Sequence, residues 1–148
     1  MKTSLNDPLR FAEVLPPGVP GVIGLALCPG KKDPDSGWDR DLDIDVAAIR
    51  DWRAEVVVSL IETWEFEFLE GTDLPSVVER LGMRWVHLPI RDVSVPKRRF
   101  EARWVAAGAD LRGVIRRGGR VFVHCRGGFG RAGTIAARLL IELGTGPQ

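Results

Sequence analysis

The chain predicts an α/β protein with a mainly parallel central sheet flanked by helices, and three stretches carry that expectation. Residues 55–61, Glu-Val-Val-Val-Ser-Leu-Ile, form a short, unbroken, β-branched run of the kind found in strands covered on both faces. Between 96 and 117 the apolar positions Phe100, Trp104, Ala107, Leu111 and Ile115 keep the helical period, and Gly118-Gly119 ends the pattern. Residues 120–125 then read as a strand, 126–130 as a glycine-rich turn and 131–143 as another helix. Strands alternating with helices fold most simply as helices packed on a parallel sheet.

The remaining elements follow in order. A first strand is expected around 21–27, after a Pro/Gly-rich entry at 16–24. Cys-Pro-Gly-Lys-Lys-Asp-Pro-Asp-Ser-Gly at 28–37 is dense in turn formers. The acidic residues from Asp41 to Asp45 suit the first turn of a helix running to about Trp52, with Ile44, Ala48 and Trp52 spaced to share a face. The run at 55–61 is expected to be the central strand. A helix at 74–81, with Pro75 in its first turn and Gly82 as its stop, leads into a strand at 83–88.

At 148 residues the chain is expected to form one domain with a core of its own. A hydrophobic fraction of 45% and a charged fraction of 28% describe an ordinary globular composition. The formal net charge of +1 argues against a general nucleic-acid or membrane-surface binder, so any anion site is local. No apolar stretch approaches the roughly 20 residues of a membrane span, and Asp7 and Pro8 interrupt any secretory-signal layout. With only Cys28 and Cys125 present, reduced thiols in a cytoplasmic protein are expected. His87 and His124 are the two histidines, too few for a metal-ligand cluster, and no metal or other cofactor is expected.

Chemistry concentrates at 124–134, His-Cys-Arg-Gly-Gly-Phe-Gly-Arg-Ala-Gly-Thr. This stretch sits at the carboxyl end of a strand and opens a helix, where α/β sheets bind ligands. Gly127, Gly128 and Gly130 let the chain bend so that backbone N–H groups of residues 126–131 converge on a tetrahedral dianion. Cys125 precedes this nest, which together with the helix dipole favours its thiolate, the attacking form. Arg131, six positions on, offers a planar fork for two phosphoryl oxygens.

These residues spell His-Cys-x5-Arg, and the sequence resembles the cysteine-dependent protein tyrosine phosphatase superfamily, most closely its dual-specificity group and the kinase-associated phosphatase branch. The stretches Leu-Pro-Ile-Arg-Asp-Val-Ser-Val-Pro at 88–96 and Leu-Cys-Pro-Gly-Lys-Lys-Asp at 27–33 add to the likeness. The resemblance implies a cysteine phosphatase fold and hydrolysis of phosphotyrosine, phosphoserine or phosphothreonine in proteins, or of a small phosphomonoester, through a phosphocysteine on Cys125. It also implies that Arg126, Gly127, Gly128, Phe129, Gly130 and Arg131 hold the phosphate, that His124 shapes the loop from beneath, and that Asp92, past the strand at 83–88, protonates the leaving oxygen.

Two features depart from the family pattern. Ala132 stands where Ser or Thr usually follows the arginine, which points to a slow second step, and Thr134 lies on the same helix. The family continues with further helices, whereas here Ile135, Leu139, Leu140, Ile141 and Leu143 surround the last one. A homodimer, a partner domain or a shortened chain is therefore expected. A rhodanese-like sulfurtransferase and a low-turnover phosphate-binding module are the competing readings. Lys97, Arg98 and Arg99 read as a solvated face, and Cys28 as structural.

Overall fold

The computed structural model of the chain describes residues 1–91, 97–127 and 129–144. Five strands form the main sheet: β1 (Ala12–Val14), β2 (Val22–Ala26), β5 (Ala54–Ser59), β6 (Arg84–His87) and β7 (Arg120–His124). Their order is β1-β2-β7-β5-β6, with β1 antiparallel to β2 and the other pairings parallel. The mainly parallel sheet expected from the sequence is present. The run at 55–61 supplies β5, but the middle position belongs to β7, which pairs with β2 on one side and β5 on the other. A strand buried on both faces reads alike in either place, so sequence could not rank the two.

Between β2 and the first helix, β3 (Lys32–Asp33) and β4 (Trp38–Asp39) form a small antiparallel ribbon around a single 3-10 turn, where turn formers alone had suggested a loop. Helix α1 (Leu42–Asp51) starts as expected, with the Asp41 side chain accepting from the Ile44 N–H at 2.9 Å. Its buried positions are Asp45, Val46 and Ile49, whereas Ile44 is exposed, so the predicted stripe is displaced by about one position.

A short helix not expected from the sequence, α2 (Thr63–Phe68), follows β5 directly. Helix α3 (Leu74–Arg80) precedes β6, and α4 (Arg98–Arg116) buries Phe100, Trp104, Leu111 and Ile115 along the expected face. Helix α5 (Gly130–Gly144) buries Ala132, Ile135, Ala136 and Leu139 within the chain. Ile141 is exposed. Both α4 and α5 pack on β7 and on each other, while α1 and α3 pack together and reach β5 and β6 respectively. Glu142 ties α5 to α4, accepting from Trp104 Nε1 at 3.0 Å and from Arg112, while Arg138 bridges to Glu101 of α4 at 2.6 Å. No helix among the described residues is long and apolar enough to cross a membrane.

Candidate active site

Strand β7 ends at His124 and delivers Cys125 to the carboxyl edge of the sheet. The neighbouring strands hold the start of the turn by its backbone: the Leu60 N–H donates to His124 O at 3.1 Å and the Cys28 N–H to Arg126 O at 3.2 Å. Helix α5 begins at Gly130, bringing its N-terminus and Arg131 to the same edge.

His124, the last residue of β7, is fully buried. Its Nδ1 is 3.0 Å from the Cys125 carbonyl oxygen, which can only accept, so Nδ1 carries the proton. Burial, reinforced by the Arg131 charge, pushes the imidazole pKa down to about 4, leaving it neutral near pH 7. Its Nε2 then accepts from the Ser59 hydroxyl at 2.6 Å, and Ser59 Oγ in turn accepts from Trp85 Nε1 at 2.9 Å. A one-way chain of donors thus runs from β6 through β5 to the first peptide of the loop.

Arg131 is 6% exposed and its fork is gripped from behind. Nη1 donates to Glu65 Oε1 at 2.7 Å and to Ile90 O at 3.0 Å, and Nη2 donates to Glu65 Oε2 at 2.9 Å. Glu65 belongs to α2, is fully buried, and also accepts from the Glu62 N–H at 3.0 Å. Burial alone would raise its pKa, but the hydrogen bonds from Arg131 and Glu62 and the Arg131 charge outweigh it, so the carboxyl lies below its ordinary value. A bidentate pair of this kind fixes the plane of the guanidinium.

Cys125 and Arg131 share the wall of a cavity of about 380 Å³ with Arg126, Gly127, Gly130, Lys31, Asp33 and Ser36. A larger hollow of about 550 Å³ shares Gly127 with it and is also lined by Phe129, but neither Cys125 nor Arg131 lines it. Arg126 sits over the Phe68 ring at 4.8 Å and 3.7 Å from the Asp33 carboxylate. Phe129 is 54% exposed and does not line the cavity of Cys125. Asp92 and Gly128 lie outside the described residues.

Ala132 is buried, and the Thr134 hydroxyl donates to Gly130 O at 2.9 Å on the exposed side of α5. Thr134 is therefore committed to its own helix. Cys28 is buried with its thiol donating to Pro29 O at 3.6 Å, and burial pushes its pKa up to about 12. It stays a thiol, in keeping with the structural role expected of it. Among the described residues no group of three His, Cys, Asp or Glu side chains is placed to hold a metal ion.

Sequence reasoning missed Glu65, Ser59, Trp85 and Lys31 as parts of this site. For Glu65 one local signal existed: Glu62 and Glu65 have capping-box spacing just after a strand, with Phe66 and Leu69 as the apolar pair.

The model of the family PTP-SAK, the DSP-PTPase phosphatase domain of Swiss Army Knife proteins, matches residues 46–148. No protein of curated function matches the chain in sequence. Among solved structures, the kinase associated phosphatase with its catalytic-site cysteine replaced by serine superposes with a TM-score of 0.82, at 20% identity over 91% of this chain and 74% of that one. A DUF442 protein from Shewanella putrefaciens gives a TM-score of 0.60 at 18% identity over 95% of this chain and 71% of that one. A Gly-to-Ala mutant form of Tk-PTP gives 0.58 at 21% identity over 88% and 71%. The fold is that of these proteins. The chain belongs to the PTP-SAK family of dual-specificity-type domains and is a cysteine-based phosphatase acting on a phosphorylated substrate.

Proposed function

We propose that Cys125 is the nucleophile and Arg131 the phosphoryl-binding residue of this phosphatase, and that Asp92 is its general acid. The observation that carries the reading is the seating of Arg131: Glu65 and Ile90 O hold its guanidinium, and the residue lines the same cavity as Cys125. A fork fixed beforehand costs little reorganisation when charge shifts onto the phosphoryl oxygens.

The Cys125 thiolate attacks phosphorus, an S–P bond forms, and the ester P–O bond breaks. The departing oxygen takes its electron pair and receives the proton of Asp92. Water, deprotonated by the resulting carboxylate, then attacks the phosphocysteine and releases inorganic phosphate and the thiolate. Backbone N–H groups of the 126–131 turn and the N-terminus of α5 stabilise the equatorial oxygens. His124 keeps the turn in shape and does not transfer the proton. With Ala132 beside Arg131 and Thr134 bound to Gly130 O, no hydroxyl among the described residues 130–134 is directed at the thiolate, which supports a slow second step.

The substrate class we favour is phosphotyrosine, phosphoserine or phosphothreonine in proteins, met in the cytoplasm, where the thiol stays reduced. The deciding experiment measures turnover of an aryl phosphate by wild type, Cys125→Ser, Arg131→Lys and Asp92→Asn. Cys125→Ser abolishes it, and Asp92→Asn lowers kcat about a hundredfold or more. Undiminished turnover by Cys125→Ser would sink the assignment. A phosphopeptide and a small sugar phosphate, run in parallel, separate the two substrate classes.

A further inference from the structure

Lys31 is a further cation at the cavity that Cys125 and Arg131 line. It follows the Cys28-Pro29-Gly30 turn after β2, and only 5% of it is exposed. The turn is fastened from behind. Asp45 of α1, itself buried in a pair with Arg40, accepts from the Gly30 N–H at 2.8 Å, and the Arg40 N–H donates to Lys31 O at 3.0 Å. The Lys31 ammonium stands 5.4 Å from the centre of the Trp38 ring and against the phosphate loop, so close that a Cβ at Gly127 would lie 2.6 Å from Nζ. Burial draws its pKa below that of an ordinary lysine, with Asp33 opposing and Arg126 assisting that shift.

The charges around the cavity explain why this matters. Arg131 is matched by the Glu65 carboxylate, and Arg126 lies 3.7 Å from Asp33. Among the described residues no carboxylate lies within ion-pair distance of Lys31, although it lines the same cavity as Cys125 and Arg131. A phosphomonoester dianion entering this cavity meets one guanidinium matched by Glu65, a second shared with Asp33, and one ammonium that no carboxylate among the described residues pairs. Keeping such a cation buried is costly unless an anion completes it.

We infer that Lys31 is a substrate-binding residue, whose ammonium receives an outer oxygen of the phosphoryl group opposite Arg131 and supplies the positive charge that Arg131 shares with Glu65. Gly127 belongs to the same device, because any side chain there would displace the ammonium. The inference rests on the phosphatase reading above, but it concerns binding of the dianion and can be measured without turnover.

Inorganic phosphate is the probe. Its dissociation constant is measured by calorimetry on Cys125→Ser protein with and without Lys31→Met, Lys31→Arg or Gly127→Ala, and its inhibition constant on the enzyme with Cys125 intact. Lys31→Met weakens phosphate about tenfold or more, the usual worth of a hydrogen bond to a charged group, and raises KM for an aryl phosphate alike while kcat changes about threefold or less. Lys31→Arg restores most of the affinity. Gly127→Ala weakens phosphate in the presence of Lys31 and adds little once Lys31 is methionine, the non-additivity expected of two positions acting through one contact. Unchanged phosphate affinity in Lys31→Met overturns the inference, as does a fall in kcat alone. If Lys31→Met does not fold, Gly127→Ala decides, since its methyl displaces only the end of a flexible side chain. Loss of all Cys125-dependent turnover in wild type would instead count against the phosphatase reading and leave the binding result standing.

Discussion

Both Glu65 carboxylate oxygens accept from the Arg131 guanidinium, at 2.7 and 2.9 Å, in a pair that is almost wholly withdrawn from solvent. The pair joins a short helix after β5 to the first turn of α5, 66 positions along the chain. It makes the Arg131 guanidinium part of the protein core.

Removing the carboxylate therefore strands a buried cation. Glu65→Ala is expected to cost about 3–5 kcal/mol of stability, and to lower turnover of an aryl phosphate further than unfolding explains. Glu65→Gln, which keeps the shape and one acceptor, costs less in both. Urea denaturation beside steady-state kinetics under folded conditions checks this, and a Glu65→Ala protein of wild-type stability and activity contradicts it.

Acid should weaken the fold through two buried groups. For His124 the folded pKa, about 4, lies below the ordinary 6.5, so the unfolded chain binds the extra proton first. Its contribution is nil above pH 6.5 and grows unfavourable as pH falls toward 4, reaching about 3 kcal/mol below both values. Glu65 has a folded pKa below its ordinary value, so its stabilisation is present above the unfolded pKa and lost as pH falls through the folded one. Denaturation midpoints taken between pH 7 and pH 4 should fall steadily, and more shallowly in His124→Asn.

Ser59 tests the donor chain beneath the loop. Ser59→Ala leaves Trp85 Nε1 without its acceptor and His124 Nε2 without its donor, at an expected cost of about 1–3 kcal/mol. Because the chain ends on the Cys125 carbonyl, phosphate affinity should fall as well. A change in stability with unaltered phosphate binding would show that the chain is only a packing device.

Asp45 couples α1 to the turn bearing Lys31. Asp45→Asn breaks the ion pair with the buried Arg40, for an expected loss of about 3 kcal/mol or more. It also loosens the Gly30 anchor, so phosphate affinity should drop in the same variant, though less than in Lys31→Met. Calorimetric titration at a temperature where the variant is folded separates the two effects.

What could be read from sequence and what could not divide along one physical line. The sheet, the long α4 and the Cys125–Arg131 turn were legible because periodicity and spacing are local properties. The partner of Arg131 was not, since Glu65 sits among Glu62, Glu67 and Glu70, a run that looks solvated until packing buries one member and leaves Glu67 outside. Lys31 was read as part of a structural turn for the same reason: its burial comes from the loop folded against it. The partners of His124, Ser59 and Trp85, come from strands that only the sheet order brings together.

The donor chain from Trp85 to Cys125 O bears on how this motif could be transplanted. The turn is moulded by a tool that lies in two other strands, and its arginine is held by a third segment. A graft of the eleven residues onto another strand would carry the inscription without the mould. A designer wishing to move this turn would have to bring Ser59, Trp85, Glu65 and the Lys31 turn in the same registers, and an evolving lineage that drifted at Ser59 would erode its shape with its signature intact.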